Sequence, residues 1–419
     1  MAEPTFPIVT GFKGLNNKLD PTAAGPQWLL QAENVLCDNG NYLTRRPGYA
    51  SFLTNIADVF GTLDERLFAV TSANALYEVY SDGSYRQRAT GFVGGPFQWA
   101  ELGYAVFAMS ETAAWCIYPD RVVAWGISTL PEPTVGVSVG SFAAGTYLIA
   151  AVLVAPDGRL GGSVGVASIT LNGSQGIVAH SPPVAGYSTY LYLSQPDGTE
   201  LYQAATMPGD GLITILAPMA EGPRLETLNC YPPPKGGCIS RHGNRMVVGI
   251  WEPAYDRTVL YWSKPDAPHW FELDKDYAIL AGRPAVLAPV LNDLFVGTDK
   301  ALHSVDANGN ILGLAGFGAI PNTLVHLDDE RITLWTDKGL ITFPPLTLVT
   351  DAALSPDNRT LATMGVFDYK GSRYVATAMR GNVRQKAQKS PFTSLSVVVN
   401  APLAANARVT STASGTVSS

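Results

Sequence analysis

A pair of short apolar runs joined by a tight turn recurs along this chain, and no other feature restricts its fold as much. The unit is centred on Leu67, Val106, Val247, Leu294, Ile332 and Tyr374. Its closer members stand about 40–50 residues apart, the period of a four-stranded propeller blade. The runs are rich in aromatic and β-branched residues, as in Arg66–Val70, Tyr104–Met109, Arg245–Trp251 and Asp293–Thr298. Turn formers link them: Ser81-Asp82-Gly83, Pro119-Asp120, Asp306-Ala307-Asn308-Gly309, Asp337-Lys338 and Tyr369-Lys370-Gly371. The expected fold is all-β with a β-propeller-like core, its first blades in 51–130 and the remaining blades in 226–380. No tryptophan–aspartate or kelch signature accompanies the repeat, so it argues for architecture alone. A β-sandwich or a stack of small β domains is the alternative.

The period breaks between the two blade regions. Pro131 and Pro133 open the gap, and Pro223 and Pro232-Pro233-Pro234 close it. Inside lie short strands at regular spacing, with Gln195-Pro196-Asp197-Gly198 turning one hairpin. That pattern predicts an inserted immunoglobulin-like β-sandwich over 131–225, and the order of features resembles a fibronectin type III module. The longest apolar stretch, Phe142 to Ala155, falls in this region. It is shorter than the ~20 residues a membrane-spanning helix needs, and it ends in a Pro156-Asp157-Gly158 turn, so it reads as a buried strand. One stretch alone has helical spacing: over 27–35, Trp28, Leu29, Ala32 and Val35 approximate one face behind Pro26. It places a short helix in the N-terminal segment, 1–50.

Charge bears on what the chain meets. Charged residues make up 15% of the sequence, against about 25% in ordinary globular domains. With 46% hydrophobic residues, the chain is neither a coiled coil nor a disordered protein. The net charge of -7 argues against a cationic nucleic-acid binder. So little charge on a chain this size implies a surface partly covered by neighbouring subunits. The final segment, 381–419, departs from the rest: it has no acidic residue and carries Arg384, Lys386, Lys389 and Arg408. Within it Phe392–Asn400 can form one last strand, and the remainder is low in complexity. The N-terminus, with an acid and two prolines, does not read as a signal peptide. Cys37, Cys116, Cys230 and Cys238 match no zinc or CxxC spacing and read as free thiols, with a Cys230–Cys238 bridge as the alternative.

Catalytic patterns are few. His180, His242, His269, His303 and His326 stand in no HxH or HExxH arrangement. No GxxxxGK[ST] loop is present, and the spaced glycines of Gly313–Gly318 precede no helix. The densest carboxylates are Asp328-Asp329-Glu330 and the pair Asp274 and Asp276. A glycosidase would need two carboxylates facing each other across a cleft. Ser81-Asp82-Gly83 has the outline of an Asp-box but lacks the downstream tryptophan. Asp306 to Asn310 starts like a calcium loop, yet no glutamate stands at the twelfth position, so it reads as a turn. No catalytic residue, metal ligand or cofactor site is assigned.

The first fifty residues are the most distinctive. They run Gly11-Phe12-Lys13-Gly14-Leu15-Asn16-Asn17, then Leu19-Asp20-Pro21, and Ala32, Asn34 and Val35. Asn39-Gly40, Leu43 and Arg45-Arg46-Pro47-Gly48-Tyr49 follow. This order resembles the opening of tail nozzle, or packaged-DNA stabilisation, proteins of short-tailed double-stranded DNA phages. The likeness is strong over 8–50. Over 240–380 it is architectural, where Leu260-Tyr261-Trp262-Ser263 followed by Trp270 looks like a blade motif of that family.

The resemblance implies a non-enzymatic virion tail protein assembled in the host cytoplasm, a homo-oligomeric ring, expected to be a hexamer, below the portal–adaptor complex. It implies portal–adaptor proteins and tail fibre or needle proteins as partners, and non-specific contact with double-stranded DNA in the channel. It makes Trp28, Asn34, Arg45 and Arg46 candidate subunit-interface residues, and Arg384, Lys386 and Lys389 candidates for contact with DNA or a neighbour. A moderately acidic wall suits a conduit, because dense Lys and Arg would grip the phosphates. The rival readings are a carbohydrate-binding or carbohydrate-hydrolysing propeller, and a monomeric β-rich interaction protein of a cell.

Overall fold

A computed structural model describes residues 55–349, apart from 63–65, 81–83, 219–221 and 328–329, together with the backbone of a few strands outside that range. Near the N-terminus β1 (Gly14–Leu15) runs parallel to β2 (Trp28–Leu29), and β3 (Val35–Cys37) antiparallel to β4 (Leu43–Arg45). The helix expected over 27–35 is corrected here, since Trp28–Leu29 is extended. So short a helix is marginal without a packed face, and pairing with Gly14–Leu15 satisfies its backbone instead. Residues 30–34 lie outside the described set.

From Ile56 onward the chain builds antiparallel sheets by simple up-and-down connection. β5 (Ile56–Gly61), β6 (Leu67–Thr71), β7 (Leu76–Val79) and β8 (Tyr85–Ala89) make the first blade. β9 (Gln98–Leu102), β10 (Ala105–Met109), β11 (Ala114–Ile117) and β12 (Val122–Ala124) make the second.

Two sheets of another kind follow. β13 (Thr134–Phe142), β16 (Gln175–His180) and β19 (Leu212–Ile215) pair in the order 13-16-19. β14 (Gly145–Val154), β15 (Ala167–Leu171), β17 (Ser188–Ser194) and β18 (Leu201–Thr206) pair as 15-14-17-18.

Blades then resume. β20 (Cys238–His242), β21 (Arg245–Glu252), β22 (Arg257–Lys264) and β23 (Ala267–Phe271) form the third, with β24 (Tyr277–Ala281) sharing the outer edge of β22. β25 (Pro284–Val290), β26 (Asp293–Thr298), β27 (Leu302–Val305) and β28 (Ile311–Ala315) form the fourth. β29 (Val325–His326), β30 (Ile332–Thr336), β31 (Gly339–Phe343) and β32 (Thr347–Leu348) form the fifth among the described residues. β33 (Thr360–Tyr369) and β34 (Ser372–Arg380) make a long hairpin, joined by β35 (Ser394–Leu395).

The apolar runs are uninterrupted because each inner blade is buried on both faces. In β10, Val106 and Ala108 point into a core shared with the first blade, whereas Phe107 and Met109 point into one shared with the third. In β21, Met246 and Val248 face the second blade and Val247 the fourth. In β26, Leu294 and Val296 face the third blade and Phe295 the fifth. Successive residues alternate sides, so a strand between two layers must be apolar throughout. Burying each large side chain contributes roughly 1.5–3 kcal/mol. The first strands of neighbouring blades also touch, with β20 lying against β9 and β25. Outer strands β8 and β28 are largely exposed. These all-β sheets stack as propeller blades do.

The region between the second and third blades has its own core. Phe142, Tyr147, Ile149, Ala151, Ile177 and Leu191 meet between its two sheets. The Phe142–Ala155 run is apolar on both sides because Ala150 and Val152 face the other way, against Leu201 and Leu225. The returning chain thus covers the outer face of the four-stranded sheet. It lies so close that a Cβ on Gly162 would sit 1.7 Å from the Cys230 carbonyl oxygen. The backbone there is tied by Ser163 N–H to the Thr227 carbonyl at 3.0 Å and Asn229 N–H to the Ser163 carbonyl at 2.7 Å. Gly162→Ala is therefore expected to destabilise the protein by about 1–3 kcal/mol through overpacking. Chemical denaturation checks it, and an unchanged midpoint would contradict this packing. Cys116, Cys230 and Cys238 are free and buried. Among the described residues no helix is long and apolar enough to cross a membrane.

Candidate functional site

The contact between the first two blades changes character from centre to rim. Phe60, Phe68, Glu78 and Arg86 stand opposite one another in a row across the first blade. At the inner end, Phe60 stacks on Trp99 at 5.4 Å and Phe92 on Trp115 at 5.1 Å. Asp58 clamps this end, accepting Phe97 N–H at 2.9 Å and Trp99 Nε1–H at 3.1 Å. Burial pushes the Asp58 carboxyl above its usual range, opposed by these hydrogen bonds.

At the outer end the row turns polar. β8 carries one extra residue, since Leu76 pairs with Ala89 and Tyr77 with Gln87. That bulged residue is Arg88, and bulges re-aim side chains. Its Nη1 meets Glu78 Oε2 at 2.6 Å, and its Nη2 donates to the carbonyls of Tyr118 at 2.6 Å and Pro119 at 2.8 Å. The first blade thus reaches into the second by one buried guanidinium. Beside it opens a cleft of about 330 Å³, also lined by Arg66, Arg86, Tyr80 and Tyr104. Tyr80 is 43% exposed and Tyr104 69%.

Behind Tyr118 lies a buried polar chain where the second blade, the third blade and the two sheets between them meet. Tyr118 Oη and His269 Nε2 are 2.7 Å apart. The His269 Nδ1 atom is buried and has no partner. A proton on Nε2, donated to the Tyr118 oxygen, leaves no buried N–H of the ring orphaned. Burial pushes the Cys116 thiol up to about 12, which makes it a poor nucleophile. Burial, aided by the charge on Arg159, lowers His269 to about 4.

The neighbouring hairpin is fixed by charge. Asp157 Oδ2 lies 2.7 Å from Arg159 Nε and 3.4 Å from Arg121 Nε. Burial alone would raise the Asp157 carboxyl, but the Arg159 hydrogen bonds and the two positive charges outweigh it and hold it low. Arg159 Nη1 donates to the Ala124 carbonyl at 3.0 Å, and Trp270 Nε1 to the Leu160 carbonyl at 2.9 Å.

Other residues singled out in the sequence have plain structural roles or lie beyond view. Asp276 pairs with Arg245 at 2.5 Å. Asp306 accepts from Asn308 N–H at 2.9 Å, Asn310 N–H at 2.8 Å and Asn310 Nδ2 at 2.8 Å, closing its turn. Trp262 Nε1 donates to His242 Nδ1 at 3.0 Å. No group of three potential metal ligands occurs among the described residues. Asp328, Asp329, Asn34, Arg46, Arg384, Lys386 and Lys389 lie outside them, as do the side chains of Trp28 and Arg45. The structure brings together arginines and tyrosines that the sequence reading passed over. Their signal is the run Tyr85-Arg86-Gln87-Arg88, dense in a chain with so little charge.

No protein-family description matches the chain, and no curated protein does. Among solved structures it is similar to a gluconolactonase from Xanthomonas campestris, at 15% identity over 65% of this chain and 79% of that one, with a TM-score of 0.23. It is similar to Sqt1 from Saccharomyces cerevisiae at 9% identity over 66% and 80%, TM-score 0.22. BamB from Moraxella catarrhalis gives 11% identity over 73% and 89%, TM-score 0.21. Likenesses this distant bear on neither activity nor ligand.

Proposed function

We propose that this chain is a structural subunit of a phage tail, forming a ring below the portal–adaptor that extends the DNA channel and retains the genome until ejection. One observation carries the reading: large apolar side chains stand exposed on strand edges of several sheets. Val137 and Val139 are 50% and 86% exposed on β13, and Ile311 and Leu312 are 41% and 64% exposed on β28. Tyr277 and Ile279 on β24 are similarly bare. Unprotected edges with no charge invite pairing and are usually covered in an assembly. The sparse charge and the 8–50 resemblance point the same way.

On this reading the blades close into a propeller that builds the tube wall. The insertion is an immunoglobulin-like sandwich projecting toward tail fibres, and the chain is not an enzyme. Native mass spectrometry, alone and with portal–adaptor proteins, followed by cryo-electron microscopy of the particle, tests it. A ring is expected. A monodisperse monomer under both conditions, with no density in the particle, would overturn the reading.

A further inference from the structure

We propose that Asn172 is a site of spontaneous deamidation, through attack of the Gly173 backbone nitrogen on the Asn172 side-chain carbonyl carbon. This holds whether or not the chain assembles into a ring. Asparagine or aspartate precedes glycine at five places among the described residues: Asp157-Gly158, Asn172-Gly173, Asp197-Gly198, Asp210-Gly211 and Asn308-Gly309. In four of them the glycine N–H closes a turn. Gly158 donates to the Ala155 carbonyl at 2.9 Å, Gly198 to that of Gln195 at 3.0 Å, Gly211 to that of Pro208 at 2.9 Å and Gly309 to that of Asp306 at 2.9 Å. Gly173 differs, for its N–H donates to nothing among the described residues.

That difference decides the chemistry. The nitrogen must lose its proton to attack, and a hydrogen bond to a carbonyl holds the proton in place. At Asn308 the Asp306 carboxylate is a second obstacle. It accepts the Asn308 N–H at 2.9 Å, and its negative charge opposes a developing anion beside it. The Asn172 turn has neither. Asn172 is exposed; its N–H is held by Gln175 Oε1 at 2.7 Å, but its carboxamide bonds nothing among the described residues. A Cβ on Gly173 would meet nothing closer than 3.8 Å, so the glycine has room to turn its nitrogen toward the side chain. The attack joins the Gly173 nitrogen to Asn172 Cγ and expels ammonia, which carries off the proton and leaves a cyclic imide. Water then opens either imide carbonyl, giving aspartate or isoaspartate with no change of oxidation state. Both products put a carboxylate on a turn tied to β13, where Ser174 N–H donates to the Phe142 carbonyl at 3.0 Å, and β13 has no charge of its own.

Ageing the folded full chain at mildly alkaline pH, followed by peptide mass spectrometry and isoaspartyl methyltransferase labelling, tests the assignment. Asn172 is expected to convert about fivefold faster than Asn308, or more, for want of one opposing hydrogen bond. In guanidinium chloride the turns are lost, and the two rates should converge. Three results would each overturn the proposal: Asn172 unconverted in the folded chain, Asn308 converting there as fast as Asn172, or the same preference persisting in guanidinium chloride.

Discussion

Replacing Arg88 with alanine is expected to lower stability by about 3–5 kcal/mol, because it strands a buried partner charge. The Arg88 and Glu78 side chains are only 4% and 8% exposed. Removing the guanidinium leaves Glu78 without its cation and two carbonyls of the second blade without their donor. The loss exceeds that of an ordinary surface ion pair, for which about 0–1 kcal/mol is usual. Chemical denaturation followed by the fluorescence of Trp99 and Trp115 reports on this contact, since both rings lie between the same two blades. The double change Arg88→Met with Glu78→Leu should recover most of the loss, because no lone charge then remains buried. An Arg88→Ala variant within about 1 kcal/mol of the parent would sink the assignment of a buried clamp.

Acid is expected to weaken the junction through His269. Its folded value is about 4 against an ordinary 6.5. As pH falls below 6.5 the unfolded chain takes up a proton that the folded one refuses, so stability declines. The decline continues until the folded ring also protonates near 4. Full stability is present above 6.5, and the total loss is on the order of 3 kcal/mol. Comparing the parent with His269→Gln isolates this contribution from that of the carboxylates. The stability difference between the two should shrink as pH drops from 7 to 4, by roughly that amount. A difference that stays constant over the range would mean that His269 titrates normally.

The blade strands were legible because burial on two sides leaves no room for polar alternation. Ala105–Met109 and Ile332–Thr336 are buried at every position, and both stand out as uncharged runs. The Asp306 turn was legible because its acceptor and donors lie within five consecutive residues. The cleft was not. Arg88 works only because a bulge turns it toward carbonyls 30 and 31 residues away. His269 and Tyr118 meet across 151 residues. Local patterns carry no record of such encounters. The extended Trp28–Leu29 was misjudged because a short run with one apolar face fits a helix or a strand, and a partner strand decided it.

The alternation in β10 has a consequence for how this architecture can change over time. Shifting the strand by one position would exchange Val106 and Ala108 for Phe107 and Met109. One core would then be overfilled while the other was left hollow, and both errors would arise from a single inserted residue. Length variation is therefore excluded from the middle of each blade and confined to the links between blades. The two sheets built from β13 to β19 obey this rule: the chain enters them after β12, the last strand of its blade, and leaves them for β20, the first strand of the next. Chain added at such a link leaves the register of every middle strand unchanged.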